Sequence, residues 1–142
     1  MRFTLGAGIL SLLALVQPGM AFAQASNEAE QSCWEGQGAH VVVLGCLQEK
    51  AASSGKQVTR AESDVMTALK AWDMDAEYRQ PALAAFTKAS TRFKQWRAAQ
   101  CSAMAAFAVG GNGDDYLRPS CEIDLNSARL RQILSYVQQL KR

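Results

Sequence analysis

The chain has a single histidine, His40, and no CxxC pair among its four cysteines, Cys33, Cys46, Cys101 and Cys121. A structural zinc site draws its ligands from Cys and His at short spacing, so none is expected here. His40 lies in a glycine-flanked segment with no serine or cysteine placed beside it as a nucleophile with its base. The glycine-rich stretch GGNGDD (residues 110–115) lacks the GKS/T ending of a phosphate loop. It also lacks the spaced acids and terminal glutamate of an EF-hand. Two carboxylate clusters, Asp73/Asp75/Glu77 and Asp114/Asp115, fall at expected element ends, where solvated charge is the default and general acid–base work is not. No catalytic residue, metal or cofactor is therefore expected, and the protein reads as a non-enzyme. A formal net charge of +2 also gives no reason to expect a nucleic-acid partner.

Long hydrophobic runs are missing as well. The longest, residues 5–16 (LGAGILSLLALV), is too short for the roughly 20 residues of a membrane span. It follows Arg2, precedes Pro18 and Gly19, and leads to Ala21-Phe22-Ala23, a small-x-small cleavage signal. Residues 1–23 thus read as a cleavable signal peptide, and residues 24–142 as one domain with no membrane span after cleavage. The expected location is the periplasm or the medium. An even number of cysteines in an exported chain argues for two disulfides. Three connectivities are possible. The local one, Cys33–Cys46 with Cys101–Cys121, is favoured because each pair flanks a short connection.

What is present is helical periodicity. Residues 24–32 are polar and alanine-rich and read as a flexible arm. Residues 41–47 (VVVLGCL) begin a helix that Ser53-Ser54-Gly55 could bend. Val58, Ala61, Val65, Leu69 and Trp72 recur at steps of three and four, with Glu62, Asp64 and Lys70 on the wet side. Pro81 ends this element and opens the next. Phe86, Phe93, Trp96 and Phe107 mark a second helix, with Trp72, Phe93 and Trp96 expected in the core. A third follows Pro119, carrying Ile123, Leu130, Ile133, Val137 and Leu140. The expected fold is all-α: a small antiparallel bundle of three main helices braced by two disulfides.

Charge divides along the chain. Residues 28–78 hold nine acids and four bases, and residues 79–142 hold ten bases and four acids. The simpler reading is ion pairing between antiparallel helices; the sharper one is an acidic face that attracts a cationic protein.

One pattern is more specific. Phe93-x-x-Trp96-Arg97-x-x-x-Cys101 is followed by a Gly-Gly turn, then Cys121, Arg129 eight residues on and Ile133 four further. This resembles the C-terminal signature of the LprI-like lysozyme-inhibitor domain family, formerly a domain of unknown function: W-x-x-Y-R-D-x-x-C, a GG turn, then C-x-x-x-L-T-x-x-R-x-x-x-L. Leu125 fills the leucine before the threonine. Cys33 and Cys46, followed by a long helix, match the first half. The departures are Phe93 for Trp, Trp96 for Tyr, Ala98 for Asp and Asn126 for Thr. The loss of an acid at Ala98 removes one partner for Arg97 or Arg129, two residues that either join the helices or lie on the surface.

The resemblance implies an exported bacterial protein with a protein partner, lysozyme, which it inhibits by blocking the substrate cleft. The alternative is a structural or adaptor module of the cell envelope that leaves lysozyme untouched, since one fold hosts many functions. The place expected to meet a partner is the loop Gly110, Gly111, Asn112, Gly113, Asp114, Asp115, Tyr116 and Arg118, held open by the frame around it.

Overall fold

Along one 31-residue stretch a side chain turns inward at every third or fourth position: Val43, Leu47, Ala51, Val58, Glu62, Val65 and Leu69 are all buried. Only a continuous α-helix places these on one face. It is about 46 Å long. The computed structural model describes residues 24–35, 39–107 and 114–140. In it the chain forms α1 (Gln24–Trp34), α2 (His40–Lys70), α3 (Ala76–Ala106) and α4 (Asp114–Leu140), with no strand among the described residues. The expected signal peptide, residues 1–23, lies outside the described residues.

The helix class is as expected, but the described residues form four helices and not three. Residues 24–34, expected as an arm, form α1. Ser26, Ala29 and Cys33 share one buried face, and their small side chains let α1 lie close against α2 and α4. Asp124 of α4 holds the start of this helix by accepting a hydrogen bond from the Ser26 N–H at 2.8 Å. That satisfies one of the orphan donors of the first turn and sets a carboxylate at the positive end of the helix dipole. The Cys33–Cys46 bridge fastens the other end to α2.

Both proline boundaries also move. Pro81 lies inside α3, five residues past its start, and Pro119 lies inside α4, five residues past Asp114. Each lacks a backbone donor, so the helix continues through it with one ladder bond fewer. Asp75 at the N-cap position and Glu77 in the first turn favour the earlier start of α3. Arg79 closes the connection from α2 by donating to the carbonyls of Trp72 and Met74, at 3.2 and 3.3 Å. The Ser53-Ser54-Gly55 step does not break α2. Gly55 faces α3 and α4, where a Cβ would make ordinary contacts, 3.7 Å from Arg97 Nη1 and 3.8 Å from Asn126 Nδ2.

The pairings fix the directions. Tyr116 meets His40, Asn126 meets Ser54 and Arg129 meets Glu62, so α2 and α4 run parallel and share the largest interface. The Cys101–Cys121 bridge, Arg97–Asn126 and Phe86–Tyr136 place α3 antiparallel to α4. The apolar core is split in two. One cluster, Ala29, Cys33, Val43, Leu47, Ala51 and Ile123, joins α1 to α2 and α4. The other is Val58, Val65, Leu69 and Ile133, with Phe86, Phe93 and Leu130 packed against it.

In α3 the only fully buried side chain is Cys101, so its attachment depends heavily on the bridge to Cys121. The bridge closes a sequence separation of 20 residues. Replacing both cysteines, Cys101→Ala with Cys121→Ala, is expected to cost about 3 kcal/mol in the chain-entropy account. Urea unfolding followed by circular dichroism measures it. An unchanged midpoint would mean that helix packing alone holds α3.

Candidate functional site

Two regions gather the polar and aromatic residues that the helices do not need for simple apolar packing. The first is a polar layer set within the second core cluster. Arg129 is 5% exposed and Glu62 6%. Arg129 donates to Glu62 Oε1 through Nε at 3.2 Å and Nη2 at 3.0 Å. Nη2 also reaches Ser90 Oγ at 3.2 Å, and Nη1 reaches Gln132 Oε1 at 2.8 Å. Lys94 stands 3.7 Å from the other Glu62 oxygen. The guanidinium lies between two rings, 5.3 Å from the centroid of Phe93 and 5.7 Å from that of Phe86. Every nitrogen of Arg129 is thus occupied, which a buried cation requires.

Toward the other end of the bundle, Arg97 Nη1 donates to Asn126 Oδ1 at 2.6 Å, and Asn126 Nδ2 donates to Ser54 Oγ at 2.8 Å. These residues link α3, α4 and α2. The two arginines are therefore joints between helices. Glu62, assigned to the wet side on its charge, is the buried partner of Arg129. Its position, four residues after Val58 and three before Val65, was the available signal. Ala98 is exposed, and the acid absent there is not the one that Arg129 uses. Ile133 is fully buried in the second cluster. Trp96 is a correction: it is 51% exposed and lines a groove between α3 and α4 with Phe93 and Leu125. Trp72 and Phe93 are half-buried against the second cluster.

The second region is the end of the bundle where α1 stops and α2 and α4 begin. Of the expected loop, Gly110, Gly111, Asn112 and Gly113 lie outside the described residues. Asp114 is the first residue of α4, so Asp115, Tyr116 and Arg118 stand on a helix and not on a loop. Arg118 donates to Ser102 Oγ on α3 at 3.0 Å. Tyr116 donates its hydroxyl to the His40 carbonyl at 3.0 Å. Its ring lies 4.3 Å from the His40 ring and 6.2 Å, edge on, from Trp34. Partial desolvation, then the charges of Glu30 and Asp115, push the Tyr116 phenol above its ordinary value of 10.0. Among the described residues no cluster of three or more His, Cys, Asp or Glu side chains is placed to hold a metal. No helix among them is long and apolar enough to cross a membrane.

With that geometry in place, the sequence model of the family described as lysozyme inhibitor LprI matches residues 33–133. The chain belongs to the LprI family. No curated protein and no solved structure matches it. The LprI match runs from Cys33 in α1 to Ile133 in α4, so it takes in both disulfides and the whole polar layer. Those residues build the LprI frame. The aromatic contacts of Trp34 and His40 with Tyr116 were not anticipated from the sequence, because the three residues come from three helices.

The Tyr116 to His40 bond requires a protonated phenol. A phenol whose folded value is raised adds stability in full below its unfolded value of about 10, and that stability is lost as pH rises through the folded value. Wild type should therefore exceed Tyr116→Phe in stability near neutral pH, with the gap shrinking above that range. Urea midpoints for both proteins across pH 7 to about 11 test this. A gap that widens with pH would contradict it.

Proposed function

We propose that this protein is an exported, periplasmic inhibitor of lysozyme that acts as a plug and not as an enzyme. The observation that carries the reading is the LprI family match over residues 33–133. Two disulfides fit an oxidising compartment outside the cytoplasm, and a signal peptide at residues 1–23 accounts for delivery there. Lysozyme cleaves glycans between two carboxyl groups in a cleft. An inhibitor needs only to occupy that cleft, so it requires no nucleophile, metal or cofactor of its own.

A rigid helical frame favours such a role. Ordering costs on binding fall when the contact residues are already fixed. The first two turns of α4 carry Asp115, Tyr116 and Arg118, and the Cys101–Cys121 bridge secures them to α3. We assign these three residues, with the neighbouring glycine-rich stretch from Gly110 to Gly113, to partner contact.

Purified mature protein should inhibit lysis of bacterial cell walls by lysozyme at micromolar concentration, equivalent to binding of about 8 kcal/mol. A turbidity assay reads this directly. No inhibition at that concentration would overturn the reading and leave a non-inhibitory module of the cell envelope.

A further inference from the structure

We propose that the partner docks on a composite face made by the last turn of α1, the first turn of α2 and the first turn of α4, and that this face selects a cationic protein. The inference rests on the inhibitor reading, and the occupant is the lysozyme molecule itself. It differs from the loop alone because most of the face comes from α1 and α2.

The centre of the face is apolar and exposed. Trp34 is 43% exposed, Val41 73% and Val42 45%. Val41 and Val42 follow His40 directly, and the His40 and Trp34 rings both meet that of Tyr116. Isolated apolar residues on a surface need no explanation, whereas a contiguous patch on a small domain does. The backing is rigid. Cys33, adjacent to Trp34, is bridged to Cys46, and Cys33, Val43 and Leu47 beneath are buried. Aromatic anchors on a fixed backing are the residues that carry most binding energy at protein interfaces.

The surroundings of the face are mainly acidic, with Arg118 of α4, which donates to Ser102, as an exception. Residues 24–49 contain Glu28, Glu30, Glu35 and Glu49 and no lysine or arginine. Glu30 and Asp115 are close enough to Tyr116 to act on its phenol. The bases of α3, among them Lys88, Arg92 and Lys94, stand on another helix, and Lys94 pairs with Glu62. An apolar centre with a mainly acidic rim is the complement of a cationic protein surface. Charges on the rim act mainly on the rate of encounter, while the centre sets the rate of departure.

Binding of the mature protein to immobilised cationic egg-white lysozyme, measured beside inhibition of cell-wall lysis, tests the face. Trp34→Ala and Val41→Ser should each weaken binding at least about tenfold, chiefly through faster dissociation. Glu28→Gln/Glu30→Gln/Glu35→Gln should slow association by about tenfold at low salt, with the difference fading at high salt. Tyr78→Ala, at the opposite end of the bundle, should bind as wild type does. Amide exchange of the wild-type protein gives a readout free of any folding defect: lysozyme should protect residues 31–35, 39–44 and 115–118. Wild-type inhibition with full activity in Trp34→Ala and Val41→Ser, or protection elsewhere, would overturn this face while the inhibitor reading stands. Wild type that neither binds nor inhibits would overturn both.

Discussion

The ion pair between Arg129 and Glu62 is the constraint on which the arrangement of the three long helices depends. Both groups are almost fully buried, and α3 supplies Ser90, Lys94, Phe86 and Phe93 around them. Removing two charges from water costs several kcal/mol per ion, and only close geometry with every donor satisfied offsets it. The pair is therefore a device for register more than for net stability. If α2 slid along α4 by one turn, an arginine and a glutamate would each face apolar side chains. The Arg97–Asn126–Ser54 chain links the same three helices through neutral partners, with Arg97 Nε buried and without a hydrogen-bond partner. Between them these contacts set the height of α3 against the other two helices.

That explains how a helix as weakly amphipathic as α3 keeps its place. Its surface is rich in alanine, and only Cys101 is fully buried. Polar joints and one disulfide supplement the half-buried Leu83, Phe86 and Phe93 of α3, where α2 has a fully buried stripe. The cost of the arrangement is a core divided into two small clusters, neither large. For a domain of this size, where net stability is a small difference between large terms, the bridges are a substantial share of it. α1 is held by the same economy of means: a short face of small residues, one disulfide, and a carboxylate of α4 at its N-terminus.

Much of the frame was legible in the sequence. Periodicity revealed the helical class, and cysteine spacing pointed to the local bridges that the structure contains. The Phe93 to Ile133 pattern revealed the family, which the match over residues 33–133 shows. The failures have physical causes. The charge of Glu62 argues for solvent, yet its position on the buried stripe of α2 decides. Trp96 was placed inside because its size outweighed the fact that α3 touches its neighbours along a narrow line. Residues 24–32 looked too polar to order, since nothing local announces that Asp124, 98 residues away, holds their helix. Pro81 and Pro119 argue for boundaries by their restricted backbone, yet the helices that hold them start five residues earlier. The clustering of Trp34, His40 and Tyr116 depends on tertiary placement and had no sequence signal.

The division of labour is then plain. The buried layer and bridges build a stiff scaffold, and the exposed bundle end presents aromatic and acidic groups from it. The Glu62–Arg129 pair specifies this scaffold. A double-mutant cycle with Glu62→Leu and Arg129→Met, read by urea unfolding, tests it most directly. Each single change should cost about 3–5 kcal/mol, because it strands the other charge in the core, and the double variant should recover most of that loss. Single changes costing under about 1 kcal/mol and adding independently, as for a solvated surface pair, would contradict the account.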